Sequence, residues 1–432
     1  MTLPTTLDEA HRLARELLAA AIAGADAGAA TRRALDAGAL PPGRVWMLAV
    51  GKAAPAMGIA AVAELRARGR ELAGGLVVGA EPAPSPAPAV AAVTGDHPVP
   101  HRRSAAAAAA LGSVVERVAS RDVVLVLLSG GATALVGAPV AGVDESELAP
   151  LFERLLRSGA DIGTMNVVRR RFLRWGGGRL AAALAPAAVR CLAISDVAGD
   201  DPAVIGSGPC VPDPTTAAAL LAAMARPPLA GALTPALRAH LAAVARGDLP
   251  ESPKAGDGAF AHARTTVVLT NRDALHAVAA AARDHGVPVT TVGEELAGPA
   301  AAAGLRCADA LLEAAPGILL WGGETTVALG EVAGRGGRSQ ELALAAARRL
   351  HERGARRVVL LAAGTDGRDG PTDAAGAAVD ALTWQRCAAA GADPAAALAG
   401  HDAYGALDAA GALLRTGPTG TNVRDVVIGV TW

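Results

Sequence analysis

The chain has 432 residues, 52% of them hydrophobic, which is material for two or three domains with full cores. Its formal net charge of −1 and its 2% aromatic content exclude a general attraction for nucleic acid and stacking platforms for single strands. The Ala-rich apolar runs are interrupted before they reach membrane-spanning length, so no transmembrane helix is expected.

The first fifteen residues carry acids early and lack a basic segment followed by an apolar one, so no signal peptide is expected. The four cysteines, Cys191, Cys210, Cys307 and Cys387, form no CxxC pair. Their spacing argues against disulfides and structural zinc and for a cytoplasmic protein. Of 40 basic residues only Lys52 and Lys254 are lysines, which draws the eye to both.

In chain order, the apolar spacing over Leu7–Ile22 predicts an amphipathic helix. Val45–Val50 reads as a buried strand that ends in Gly51-Lys52, with a helix start behind it. Lys52 there either neutralises a phosphate oxygen or points into solvent. Leu76–Val78 is a short strand, and the loop at 81–88 holds four prolines. His97 lies in the turn 95–100, where a structural role is the simpler reading. Ser104 is placed to cap the Ala-rich helix that follows.

Val123–Leu128 is apolar without alternation, the pattern of a strand buried on both faces of a parallel sheet. It runs into Ser129-Gly130-Gly131-Ala132, a turn that can aim backbone N–H groups at an anion or can simply connect. A helix is expected over Asp144–Leu156 and another over Asp161–Arg179. The second holds Asn166, Arg169, Arg170, Arg171, Arg174 and Arg179, with Arg170 and Arg174 on one face. These arginines could clamp an anion, although a solvated helix face is the simpler reading. Cys191–Ser195 is a strand delivering Asp196 at its carboxyl end.

Residues 217–257 show no strong strand, and 247–258, with Lys254, reads as a linker. Domains of 1–248 and 259–432 are therefore expected. Strands at 266–269, 288–292, 318–321, 358–361 and 426–430 give the second one its own βα alternation. Its polar turns carry Gly323 and Glu324, then Gly337 and Arg338 just before an Ala/Leu helix. Next come Thr365, Asp366, Asp369 and Asp373. Three carboxylates so close together suggest Mg²⁺, and turn chemistry is the competing reading. Many such turns together suit phosphoryl transfer, where catalysis is mostly positioning and charge neutralisation. No GxxxxGK[ST], protein-kinase signature or GxGxxG after the first strand is present.

The order and number of AVGKAAPAMG (49–58), GDHPVP (95–100), LLSGGATALV (127–136), ISDVAGDDPAVIGSGPCVPDPTT (194–216), WGGETTV (321–327), GGRSQELAL (336–344), GTDGRDGPTDAAGA (364–377) and GPTGTNV (417–423) carry a resemblance. The sequence resembles the glycerate 2-kinase family with a C-terminal MOFRL domain. That resemblance implies an α/β fold: a Rossmann-like three-layer α/β/α N-terminal domain, mostly parallel, and a smaller α/β MOFRL domain. It implies phosphorylation of D-glycerate at the 2-hydroxyl in the interdomain cleft, with ATP and Mg²⁺. It puts the favoured catalytic lysine and arginine at Lys52 and Arg338. Beside these, Asp196 is expected as the base. Ser129, Gly130, Asn166, Arg169, Arg174 and Arg179 are expected at the substrate. Gly131, Ala132, Gly323, Glu324, Gly337 and Thr365 are expected at the nucleotide, and Asp366, Asp369 and Asp373 at the metal. Gly176 stands where the family commonly has a lysine, Leu173 where it has a serine, and Arg424 where it has a small polar residue.

The competing functions are an NAD(P)H-dependent hydroxypyruvate reductase and a non-catalytic sugar-acid sensor. No nucleic-acid or membrane partner is expected, and a homodimer is allowed.

Overall fold

The computed structural model describes residues 3–38, 40–160, 162–328 and 334–432. By their contacts the residues separate into two compact units, Ala27–Leu269 and Met1–Asp26 with Thr270–Trp432. This division differs from the expected 1–248 and 259–432.

The unit Ala27–Leu269 is built on strands β1 (Val45–Val50), β2 (Leu72–Gly79), β3 (Val90–Thr94), β4 (Val123–Leu128), β5 (Ala188–Ile194) and β6 (Ala263–Leu269). Every pairing is parallel and the order is β3-β2-β1-β4-β5-β6. Strands β1 and β4 are buried along their whole length, because helices cover both faces. Trp46, Leu48, Val124, Val126 and Leu128 pack with residues of the helices Arg102–Val115 and Arg179–Leu184. The helix Ala54–Ala67 lies on β1 and β2, and Gly58 allows its approach to Met47 and Val77. The helix Ala27–Ala37 lies against β5 and β6. The strand expected at 266–269 is β6, and it extends this first sheet by pairing with β5 instead of opening the second half. The order reverses between β1 and β4, and open α/β sheets bind ligands at the carboxyl ends beside such a reversal.

The other unit holds β7 (Val289–Thr291), β8 (Gly317–Gly323), β9 (Val358–Gly364), β10 (Gly376–Val379), β11 (Leu413–Leu414) and β12 (Asp425–Thr431), in the order β11-β10-β9-β12-β8-β7. Strand β12 runs antiparallel to both β8 and β9. Its first residue, Asp425, is therefore the partner of Gly323 and Gly364, the last residues of those strands. One face of the sheet takes the helices Leu7–Gly24 and Asn271–Asp284, the other takes Ala300–Glu313 and Arg338–Glu352.

Several local expectations change. Ser104 does not cap its helix; the Asp96 carboxylate accepts from the N–H groups of Arg103 and Ser104, and the Ser104 hydroxyl accepts from Asp96 N. Lys254 does not sit in a solvated linker, since its ammonium donates to the carbonyls of Asp213 and Thr215 and to Ser252 Oγ. All four cysteines are buried free thiols. No described helix is long and apolar enough to cross a membrane.

The N-terminal helix Leu7–Gly24 starts in a capping box of Thr6 and Glu9 and buries Leu13, Leu17 and Leu18. Its His11 Nε2 meets Asp380 Oδ2 at 2.7 Å, and Asp380 also binds Arg386 and the N–H groups of Leu382 and Thr383. Burial opposes ionisation of Asp380, but these bonds prevail and hold its carboxyl at about 2. A lowered carboxyl stabilises the fold above its unfolded value near 4, and the benefit fades as pH falls toward 2. Asp380→Asn should therefore cost about 2 kcal/mol at pH 7 and much less near pH 2, read as the difference in urea midpoint between the two proteins across pH.

Candidate functional site

In the unit Ala27–Leu269, the carboxyl ends of β1, β4 and β5 converge on one spot. Ser129 Oγ accepts from Ala53 N at 3.0 Å, and Lys52 N donates to Gly130 O at 2.9 Å. The two turns can interlock because Gly51 has φ +135° and no side chain: a Cβ there would stand 2.1 Å from Ser129 Oγ. A Cβ on Gly130 would stand 2.0 Å from Asp196 Oδ2, so the Asp196 carboxylate lies directly against that glycine. Gly131, at φ +85°, faces Lys52 Cγ and the edge of the His97 ring. Among the described residues, the amide N–H groups of Gly130 and Gly131 donate to no protein acceptor. One cation, two unspent amide donors, a carboxylate and an imidazole edge thus surround a two-glycine turn. The combination can hold an anion next to a proton acceptor.

Not every residue expected here serves as a ligand. Ser129 is 1% exposed and Ala132 is 2% exposed, one tying the turns together and the other packed in the core. The helix after the turn is the single turn Ala132–Leu135, so its dipole adds little. His97 is the addition; the proline-rich turn gave no sign that its ring would meet Gly131.

The arginine run is the larger correction. Asp161 lies outside the described residues. The helix ends at Phe172, so Arg174 does not continue its face and is exposed, with its guanidinium over the Trp175 ring. Arg169, Arg170 and Arg171 are buried, not solvated. Arg170 and Arg171 share Asp213, and Arg171 also pairs with Glu251. Arg179 donates to the carbonyls of Arg170, Arg171 and Gly176, closing the carboxyl end of the helix, and burial pulls it down to about 10. Arg174 and Arg179 are therefore accounted for by the fold. Arg169 is different: at 6% exposure it has no carboxylate partner among the described residues, and it meets Asn166 Oδ1 at 3.4 Å, Met165 Sδ at 4.0 Å and the Phe152 ring at 4.5 Å. Its Nε is unpaired, and burial lowers it to about 10. A buried, uncompensated guanidinium beside a buried Asn166 is a position prepared for an anion. The departures nearby have packing reasons: Leu173 fills a core, and Gly176 runs 3.2 Å from Arg170 O at the place a Cβ would occupy.

In the other unit, Arg338 opens the helix Arg338–Glu352. Its Nε and Nη2 donate to Asp425 at 2.5 and 2.9 Å, and its Nη1 meets Glu324 at 2.9 Å. Burial alone would lower its proton affinity, but Asp425 and Glu324 raise it, so the guanidinium stays charged. Sequence reasoning missed Asp425, because only the antiparallel course of β12 carries it there.

The glycine stretch before Arg338 is not an open anion cradle. Asp369 fills it, accepting from Ser339 N and Gln340 N at 3.1 and 2.8 Å, and Gly337 is glycine because a Cβ would strike that carboxylate. Burial, and then the Asp425 charge, push Asp369 up to about 6. Thr365 is buried, bonding Arg424 O and Val423 N, and Gly323 is covered by the Leu296 backbone. Asp373 is engaged by Tyr404 and Arg415. Among the described residues no three His, Cys, Asp or Glu side chains gather as a metal cage. Asp366 is half-buried and accepts from Arg368 N. Arg424 pairs with Glu295 at 2.9 and 3.1 Å, which gives that departure a local role.

Gly130→Ala should leave the fold intact, because the obstructing atom is the free end of a carboxylate. It should swing the Asp196 side chain away from the turn, as a crystal structure of the variant would record.

Two family descriptions match the chain: "Domain of unknown function (DUF4147)" over residues 13–242 and "MOFRL family" over 317–425. A D-glycerate 2-kinase of Thermotoga maritima is 37% identical over 396 residues, covering 90% of both chains. An Agrobacterium vitis protein with a provisional hydroxypyruvate reductase name is 38% identical over 426 residues, 96% of this chain and 93% of that one. The crystal structure of a glycerate kinase from Thermotoga maritima superposes with a TM-score of 0.84 at 34% identity, covering 98% of this chain and 100% of the other. Its motifs, its two sheets and these near-full-length matches agree: the chain belongs to the glycerate 2-kinase family.

Proposed function

We propose that this protein transfers the γ-phosphoryl group of ATP to the 2-hydroxyl of D-glycerate, giving 2-phosphoglycerate and ADP. The observation that carries the reading is the turn at the β1–β4 reversal, where Lys52 and the unspent N–H groups of Gly130 and Gly131 adjoin the Asp196 carboxylate. The relatives named as D-glycerate 2-kinase and glycerate kinase supply the substrate.

In this mechanism the glycerate carboxylate pairs with Arg169, with Asn166 beside it. Asp196 takes the proton of the 2-hydroxyl as its oxygen bonds to the γ-phosphorus and the bond to the ADP oxygen breaks. Lys52 and the glycine amides neutralise and orient the phosphoryl oxygens. Arg338, kept ionised by Asp425 with Glu324 on its remaining nitrogen, is the second cation that the family resemblance assigns to phosphoryl transfer. Asp366 would hold Mg²⁺ together with nucleotide phosphate oxygens, and the ion would supply further charge neutralisation. A reducing cytoplasm suits the four free thiols.

The hydroxypyruvate reductase name borne by one relative is the second reading, and β3-β2-β1-β4-β5-β6 is a dinucleotide-fold order too. Against it stands a first turn that reads Gly51-Lys52-Ala53-Ala54-Pro55 and lacks the dinucleotide fingerprint.

Lys52→Ala and Arg338→Ala should each lower kcat by about 10²–10⁴ in a coupled ADP-release assay. NMR of the product should show phosphate on carbon 2. Unchanged kcat in both variants, or NADH consumption with hydroxypyruvate, would reject the kinase reading. Arg169→Met should raise KM for glycerate by about tenfold or more without lowering the melting temperature, since it removes a buried charge that has no partner.

A further inference from the structure

A charged cavity lies on one face of the first sheet, and Lys52 is not among the residues that line it. It has a volume of about 600 Å³ and sits between the helix Ala27–Ala37 and one face of β4, β5 and β6. Leu125, Arg190 and Arg264 form one rung across that face, and Leu192 and Thr266 are partners on the rung two residues further on. Arg190 and Arg264 are thus direct neighbours on adjacent strands, about 5 Å apart at the backbone, with both side chains on the same face. Like charges so placed repel. Arg33 of the helix also lines the cavity, and among the described residues no acidic side chain does.

None of the three arginines makes an ion pair among the described residues. Asp36, the acid on the same helix, is taken by Arg68. Arg190 Nη1 reaches only the carbonyls of Val189 and His262. Burial, followed by the Arg264 charge, draws the Arg190 guanidinium below its ordinary value. Arg190 is half-buried and Arg264 and Arg33 are exposed, so three guanidinium groups rim a cavity that Leu35, Leu125 and Leu192 also line, with no carboxylate among them.

We propose that this cavity binds a small organic phosphate, its dianionic head between Arg33, Arg190 and Arg264 and its apolar part over Leu35, Leu125 and Leu192. Three guanidinium groups match a phosphate dianion in charge and in donor geometry better than a single carboxylate. The site lies on a face of β4, β5 and β6, and none of its lining residues belongs to the proposed catalytic turn. Its ligand is therefore an effector and not the glycerate, and the inference stands apart from the kinase reading.

Calorimetric titration of the full chain with hexyl phosphate and with inorganic phosphate tests it. Hexyl phosphate should bind more tightly than inorganic phosphate. Arg264→Gln and Arg33→Gln should each weaken it at least about tenfold, while Lys52→Ala leaves it unchanged. Without ligand, Arg264→Gln should melt at the same temperature as the parent or higher, because it relieves the repulsion. No binding, binding that survives both arginine changes, binding abolished by Lys52→Ala, or a lowered melting temperature in unliganded Arg264→Gln would each overturn the proposal.

Discussion

The unit that carries Lys52 depends on one close approach. The Ser129 hydroxyl sits in the space a side chain at Gly51 would need, and there it accepts the N–H of Ala53. This fixes the tip of β1 against the tip of β4 at the strand-order reversal. Lys52, the free amides of Gly130 and Gly131, and Asp196 take their places from that contact. Any Cβ on Gly51 would break it, since the obstructing atoms include the Ser129 backbone carbonyl.

Charge placement follows a single rule in both units, and the exceptions are informative. Arg170, Arg171, Arg338 and Arg424 each have a carboxylate, and Arg179 has backbone carbonyls. Burying a cation costs heavily unless such partners are present. Arg169 breaks the rule, while the half-buried Arg190 and exposed Arg264 set like charges side by side with no carboxylate partner among the described residues. Both arrangements are the basis on which anions from outside the chain are proposed.

The two sheets solve the positioning problem differently. The first is wholly parallel, so every strand delivers its carboxyl end to one edge. The second inserts an antiparallel strand, β12, between β8 and β9, which lets an N-terminal residue, Asp425, stand beside two carboxyl ends and anchor Arg338. A glycine-rich loop whose helix start is already filled by Asp369 then leaves the guanidinium, not the helix N-terminus, as the positive group there.

Much of this was legible in the sequence. Unbroken apolar runs at Val45–Val50 and Val123–Leu128 specify strands covered on both sides, because only burial on two faces tolerates no polar alternation. The glycines after them specify tight turns, and the ordered motifs specify the family. Ion-pair partners were not legible, since they lie far apart in the chain: Arg171 with Glu251, Arg338 with Asp425, His11 with Asp380. Nor was the membership of β6 or of the N-terminal helix, because a local pattern states that an apolar face must be covered without stating by what. The sequence alone determined which segments become strands, turns and helices, as these follow from short-range periodicity and steric freedom. Only the tertiary structure decided which charges meet a partner and which stay uncompensated, because that depends on burial and on contacts between residues tens to hundreds of positions apart.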